Sequence, residues 1–463
     1  MAASLTLSIL VSACASFSPD GGMSLVQDQA GGELGKDVVK IRSQADAAEA
    51  EARVNALLAK PMTADSAVQI ALLNNRGLQA AYNDLGISEA EMVEASVPPA
   101  PTVSLARLTG AELEIERQIV QNVLALLTLP RRREIAEDRF HQAQVRAVEA
   151  TLKTAADARR AYFRAVAAGQ IVTFLEQARL SAESISDLAK KLGETGAMPK
   201  LDQAREHAFY AEVSAQLALA RLRQRSEREQ LNRALGLWGE QTKYRLPGSL
   251  KGLPAPPKSL DVETLAVTSR VDLEIARMEL AILAKELGLT HATRFIDALE
   301  VSGLSRFERR GDEQTPRRGL EASFQIPIYD FGEARTRRAE EIYMRAVNRL
   351  IEKAVNVRSE ARAAYTTYRG AYEIARHFDK EILPLREIIS QQELLNYNGM
   401  LTDLFALLTD ARARITANVQ GIEAKRDFWL AKVDLSTAIL GGRGGDSGAE
   451  PMETASTAGA SAN

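Results

Sequence analysis

Between Gly319 and Ile328 apolar and polar residues alternate. Leu320, Ala322, Phe324 and Ile326 stand on one side of the predicted strand, Glu321, Ser323 and Gln325 on the other. The chain then passes through Pro327 and Gly332 into a charged helical stretch with no strong breaker until about Asn396, apart from Pro384, which should kink it. A two-faced strand feeding a helix of that length is of little use to an ordinary globular core. A membrane β-barrel continued by a helical tunnel would need it.

The same alternation occurs earlier. Thr102 to Leu108 and Glu112 to Val120 flank Thr109-Gly110 and predict a hairpin over 102–120. Val103 and Leu105 oppose Ser104 and Ala106; Leu113, Ile115 and Ile119 oppose Glu112, Glu114, Glu116 and Gln118, with Arg117 on the apolar side. A second hairpin over 296–328 pairs Ile296 to Phe307 with Gly319 to Ile328 across a charged loop, Glu308 to Arg318.

The remaining segments read as helix or connection. Ser16 to Lys36 is rich in Gly, Ser and Asp and reads as an extended tether; Val39 to Leu58 is a polar helix closed by Pro61. A more apolar helix runs from Thr63 to about Ser96, where Val97-Pro98-Pro99 ends it. Leu129-Pro130-Arg131-Arg132-Arg133 opens a long helix to about Leu192, with Val145, Val148, Leu152, Ile185, Leu188 and Leu192 at coiled-coil spacing. After a turn containing Gly193, Gly196 and Pro199, a helix returns from Leu201 to Leu235. Residues 243–258 carry four prolines and read as a linker.

The second half then repeats the first. Arg270-Val271-Asp272-Leu273 answers Asn75-Arg76-Gly77-Leu78, Gly399 answers Gly196, and LSTAILGG from Leu435 answers LNRALG from Leu231. The organisation expected is a signal over 1–13, a tether and short helix over 14–62, a first repeat over 63–242, the linker, a second repeat over 259–442 and a disordered tail over 443–463. At about 1.5 Å per residue the two long helices would each extend roughly 90–100 Å, too long and thin for one core. Four strands per chain cannot close a barrel, whereas three chains would supply twelve.

Composition narrows the class. A formal charge of −3 over 463 residues gives no reason to expect nucleic acid, and aromatics at 5% suit long helices. Mean hydropathy is −0.17 and no eighteen-residue apolar run occurs, so a membrane span would have to be a closed barrel. The sole cysteine, Cys14, follows an apolar stretch from Leu5 to Ala13 that reads as a secretory signal. Val11-Ser12-Ala13-Cys14 resembles a bacterial lipobox, which implies a diacylglycerol on the thiol; the bland reading is an incidental cysteine in a signal. Ala15 lacks the aspartate that retains lipoproteins in the inner membrane. No nucleotide loop, nucleophile elbow or Cys/His cluster of metal spacing occurs, and His141, His207, His291 and His377 are scattered along helices. An enzyme, a metal site and a cofactor are not expected.

The stretch Pro327, Tyr329, Asp330, Gly332, Arg335, Arg337 and Arg338 resembles the strand-to-helix junction of the TolC-like outer membrane efflux proteins. So does the duplicated order of helix, hairpin, long helix, turn and return helix. Leu383-Pro384 through Tyr397-Asn398-Gly399-Met400-Leu401-Thr402-Asp403 resembles the family's second helical tip, with the tyrosine one residue closer to the glycine than in that pattern. The resemblance covers about Thr63 to Gly442. It implies a mainly α fold of duplicated helical hairpins with four strands per chain, contributing to a trimeric twelve-stranded transmembrane barrel.

It further implies a homotrimeric exit duct in outer membrane lipid, lipid-anchored and reaching into the periplasm, that meets a periplasmic adaptor and an inner-membrane pump. The tip residues would be Gly193, Gly196, Asp202, Tyr397, Gly399, Thr402 and Asp403; the barrel–helix junction residues would be Pro130, Arg132, Pro327, Asp330, Gly332 and Arg335. Asp202 and Asp403 either charge a constricted ring or cap their return helices. The junction arginines either snorkel toward lipid headgroups or sit on a solvated helix start. A lipid-anchored coiled-coil scaffold without a pore is the competing class.

Overall fold

The computed structural model describes residues 17–109, 113–256, 260–310, 313–399, 401–402 and 404–441. The signal stretch, Cys14, Asp403 and the tail over 443–463 lie outside the described residues. Two short turns, α1 (Met23–Val26) and α2 (Gly32–Leu34), flank a π-helical turn at Gln27–Gly31. Then come α3 (Gln44–Leu58), α4 (Ala64–Asn74), α5 (Arg76–Ser96), β1 (Thr102–Thr109), β2 (Leu113–Asn122), α6 (Val123–Glu194) and α7 (Lys200–Leu235). The second half holds α8 (Val262–Ser269), α9 (Val271–Ala292), β3 (Ala298–Arg310), β4 (Glu313–Gln325) and α10 (Glu333–His377). A π turn at Phe378–Ile382 leads into α11 (Leu383–Asn398), and α12 (Leu404–Leu440) returns.

The helix starts follow their caps. Ser43 and Thr63 each form a reciprocal capping box, with Asp46 and Ser66. The expected single helix from Thr63 is broken at Asn75, whose side chain accepts from Leu78 N (3.1 Å) and donates to Ala234 O (3.0 Å). Gly236 closes α7 there with φ 71°; an added Cβ would lie 2.8 Å from Asn74 O, so the break and the glycine fit together.

The largest core sits at the waist, where α4, α6, α10 and α12 meet. Phe163 stacks on Trp429, and the fully buried Phe428 packs against Tyr368, Tyr372 and Trp429. A second core lies between α5, α6 and the N-terminal arm, and toward the helical tips only small clusters remain. At roughly 1.5 Å per residue the 72-residue α6 runs about 110 Å. Much of α10 and α11 leaves apolar side chains in the open, among them Met344, Ile351, Val355, Leu385 and Ile388.

Four expectations are corrected. Ser16 to Lys36 is not an extended tether: from Met23 it is largely helical, and Met23, Val26 and Ala30 are buried in the second core. Ser18 N donates to Glu89 (2.6 Å) and Gln144 donates to Gly22 O (3.0 Å), fastening the segment to α5 and α6. The proline-rich 243–258 stretch is not a loose linker. Tyr244 and Leu250 are buried, and its carbonyls accept from Trp429 Nε1 (Lys251 O, 3.1 Å) and Tyr372 OH (Pro254 O, 3.3 Å). The charged Glu308 to Arg318 stretch is mostly strand, because β3 and β4 pair from Ala298↔Gln325 out to Arg310↔Glu313. Finally, α6 begins at Val123, since Asn122 accepts from Ala125 N (2.8 Å) and caps it; Pro130 therefore lies inside the helix.

Candidate channel sheet, junction and helical tips

β1 to β4 form one antiparallel sheet in chain order. β2 pairs with β3 along Leu113↔Arg309 to Asn122↔Glu300, so the two hairpins stand side by side although α6 and α7 separate them in sequence. The register sorts residues onto two faces. One carries Ser104, Glu114, Glu116, Gln118, Glu300, Ser302, Arg306, Glu308, Arg317 and Glu321. Arg306 there pairs with Glu114 (2.9 Å) and Glu116 (3.5 Å), and Arg317 with Glu308 (3.9 Å). The opposite face exposes Val103, Leu105, Ile119, Leu320 and Phe324, with Leu320 87% accessible.

The junction after β4 is tightly specified. Phe331 and Gly332 both take positive φ (49° and 72°), turning the chain into α10. The Asp330 carboxylate accepts from Gly332 N (3.1 Å) and Ala334 N (3.4 Å), supplying partners to the helix start. Arg335 reaches across to Asp297 (2.7 Å) and Thr293 O (2.8 Å), tying α10 to the segment that enters β3; Arg294 Nε returns a bond to Phe331 O (2.9 Å). Asp330, Gly332 and Arg335 thus come together, with the exposed Arg335 held in an ion pair to Asp297. Pro327 accepts from Phe331 N through its carbonyl (2.7 Å). Pro130 and Arg132 do not share this arrangement. The first junction is at Asn122–Val123, and Pro130 lies beyond it within α6, because the asparagine cap starts the helix earlier than the proline suggested. Arg132 is exposed on α6.

At the far end, α6 closes with Gly196 at φ 75°, Ala197 N donating to Leu192 O (2.8 Å) and Gly196 N to Gly193 O (3.1 Å). Gly193 makes room for Gln203. Asp202 does not cap α7, whose N-cap is Pro199; it sits in the first turn, where a carboxylate suits the helix dipole, and pairs with Arg205 (3.2 Å). In the second tip Gly399 has φ −81°, unlike Gly196, and its N donates to Leu395 O (2.9 Å). Tyr397 is exposed, Thr402 half-buried and the neighbouring Leu401 80% accessible. The tips form two groups, and α7 touches α12 through Arg205 over the Phe405 ring (5.3 Å) and Arg412–Glu212 (3.0 Å).

Sequence reasoning missed a buried polar cluster just behind the first tip. Glu206 is 1% accessible, and neither carboxylate oxygen finds a partner. Burial raises its pKa, Arg412 opposes that and Asp202 adds to it. His207 Nδ1 contacts Ser186 Oγ beside it. The signal was present: Glu206, Phe209, Val213 and Leu217 form one apolar-spaced stripe with a carboxylate in it. Among the described residues no helix is long and apolar enough to cross a membrane, and no His/Cys/Asp/Glu group is arranged to hold a metal.

This architecture, a two-faced sheet continued by long paired helices, is that of the TolC-like outer membrane efflux channels. The chain superimposes on the Campylobacter jejuni CmeC outer membrane channel at 16% identity, with 82% of this chain and 86% of that one covered and a TM-score of 0.69. The outer-membrane channel OprN gives 17% identity over 92% and 96% of the two chains, TM-score 0.68. The Vibrio cholerae outer membrane protein VceC gives 14% identity over 84% and 96%, TM-score 0.65. No family model matches the sequence, and no curated protein matches it significantly.

Proposed function

We propose that the chain is one subunit of a homotrimeric outer membrane duct, which passively conducts substrates delivered by an inner-membrane pump and a periplasmic adaptor. The observation that carries this reading is the sheet. Four strands with a polar, ion-paired face and an exposed apolar face have two free edges, β1 and β4. Exposed edges in lipid leave backbone groups unpaired, and closure by further copies removes them. Three copies give twelve strands, a size that encloses an aqueous lumen lined by the polar face.

In this reading the duplicated halves, 63–242 and 259–442, alternate around the duct, and the apolar side chains left open on α10 and α11 pack against the next copy. The tips around Gly193, Gly196 and Asp202 and around Tyr397, Gly399 and Thr402 form the periplasmic entrance and adaptor surface, with Asp403 adding charge there. Asp330, Gly332 and Arg335 fix the angle at which strand becomes helix. Cys14 carries the lipid that anchors the mature N-terminus. The chain makes and breaks no bond; the pump supplies the energy.

The decisive experiment measures the mass and planar-bilayer conductance of the particle extracted by detergent from outer membranes. Three chains forming an ion-conducting pore are expected. A monomer or dimer without conductance would overturn the duct and leave a periplasmic coiled-coil scaffold.

A further inference from the structure

We infer that the outward face of the sheet carries a binding belt for phosphate-bearing lipid headgroups, formed by Arg107, Arg117 and Arg318. The inference rests on the reading above that the apolar face lies against lipid. The register puts Arg107 opposite Ile115, and Arg117 in the same row as Leu105, Ser305 and Arg318. Arg107 and Arg117 are therefore diagonal neighbours, about 7–8 Å apart. Arg318 lies two strands from Arg117, roughly 10 Å at the usual strand spacing. All three are exposed, on the same face as Val103, Ile119, Leu320 and Phe324.

Charge on the two faces is segregated. The polar face carries Glu114, Glu116, Glu300, Glu308 and Glu321, and its Arg306 and Arg317 are ion-paired. Among the described residues the apolar face has no carboxylate, and Arg107, Arg117 and Arg318 make no ion pair. A lipid-facing arginine costs about 2–4 kcal/mol at the bilayer midplane and about 0–1 near the interface. These arginines must then lie at headgroup level or reach it.

Their height fits. Phe324 and Arg318 are six residues apart on β4, about 20 Å along the strand. At a strand tilt of roughly 40° this is about 15 Å of membrane depth. Ile326, Ile328, Tyr329 and Phe331, all exposed, continue the apolar band at the helix end. The arginines consequently mark the opposite rim, two to five residues short of the strand ends that point away from the helices. A planar guanidinium recognises a phosphate through paired N–H bonds, so three of them spaced across four strands suit a bulky headgroup bearing more than one phosphate. A zwitterionic headgroup supplies no net charge to match them.

The test uses the full assembled particle in detergent, titrated with bisphosphorylated lipid A, monophosphoryl lipid A or dioleoylphosphatidylcholine, with bound lipid counted by native mass spectrometry. The wild type should retain bisphosphorylated lipid A best and phosphatidylcholine least. The R107Q/R117Q/R318Q variant should lose about fivefold in lipid A affinity per arginine removed. An R225Q/R349Q control, at exposed arginines on α7 and α10 away from the sheet and its junction, should bind as wild type does. Equal retention by the belt variant, or no preference over phosphatidylcholine, overturns the inference. Complete displacement by millimolar inorganic phosphate also overturns it, because the belt would then be a free-anion site. If the triple variant does not assemble, the single variants R117Q and R318Q decide, each with an expected fivefold loss. Failure of the wild type to insert into phosphatidylcholine vesicles and conduct would refute the barrel itself, a result separate from loss of headgroup preference.

Discussion

Replacing Gly332 by alanine probes the junction on which the proposed duct depends, and Gly196→Ala supplies its control. Both glycines have nearly the same backbone, φ 72° and 75°. An alanine in the left-handed region costs about 1–2 kcal/mol wherever it occurs. At Gly196 nothing lies within 4 Å of an added Cβ, so the backbone penalty is the whole cost. At Gly332 the Cβ would come 2.3 Å from Arg294 O, a backbone atom that no rotamer change can move aside. Relief requires shifting the segment that Arg335 holds through Asp297 and Thr293 O. Losing those charge-assisted bonds adds about 1.5–3 kcal/mol. The expected totals are roughly 1–2 kcal/mol for Gly196→Ala and 2.5–5 kcal/mol for Gly332→Ala. Denaturant unfolding in detergent, followed by circular dichroism, measures both. If the two variants fall within about 0.5 kcal/mol of each other, the junction contact is not a constraint and the argument fails.

Other perturbations follow from the same geometry. Glu206 has its folded-state pKa raised by burial, so its carboxylate opposes folding at neutral pH, and that penalty is relieved as pH falls through the raised value toward its unfolded one. Glu206→Gln should therefore raise the melting midpoint at pH 7 and leave it little changed near pH 4; a lower midpoint at pH 7 would contradict the assignment. Phe428→Ala removes a fully buried ring from the waist and should cost about 3–5 kcal/mol, whereas a loss under about 1 kcal/mol would show that the waist core does not hold the hairpins. Among the described side chains the polar sheet face has five glutamates against Arg306 and Arg317, so a reconstituted pore should favour cations in a salt-gradient reversal-potential measurement, and neutralising Glu300 and Glu321 should weaken that preference; anion preference would refute the lumen assignment.

The two-faced strands were legible because alternation survives whatever charges one face bears, and the junction was legible because Asp330 and Gly332 have few other uses before a long helix. What misled was punctuation. Pro130 reads as a helix start, yet Asn122 supplies the cap and the helix absorbs the proline. Prolines 247 and 254 read as a loose linker, although a carbonyl in that stretch can accept from Trp429 or Tyr372 as well as any other. The glycines before Lys36 hid a Met23, Val26, Ala30 stripe that seats the segment in a core. Glu206 escaped notice because a carboxylate on an apolar stripe becomes informative only when its neighbours are known to bury it.

The mismatch between the two tips has a physical cause in the π turn at Phe378–Ile382. Before it, buried positions in the two long helices correspond at an offset of 203: Ala158 with Ala361 and Val172 with Ala375. Beyond it the offset is 204. Ala182, Ser186 and Ala189 face inward on α6, and Arg386, Ser390 and Glu393 are among the half-buried positions on α11. The return helices keep 204, matching Glu206 with Asp410, Val213 with Ala417 and Leu231 with Leu435. One extra residue has been taken up as a wide turn, beside a cavity of about 160 Å³ lined by Phe174, Phe378, Leu383 and Gly421. That explains why Gly399, aligned with Gly196 by counting, lacks its left-handed backbone. It also makes an unusual prediction. Deleting the exposed Lys380 should convert the π turn to regular helix and leave α11 facing α12 as before, so the protein should fold with its melting midpoint little changed. Deleting the exposed Arg358 should instead rotate everything after it by about 100° and abolish assembly. If the Lys380 deletion is as damaging as the Arg358 deletion, the extra residue does not lie at the π turn.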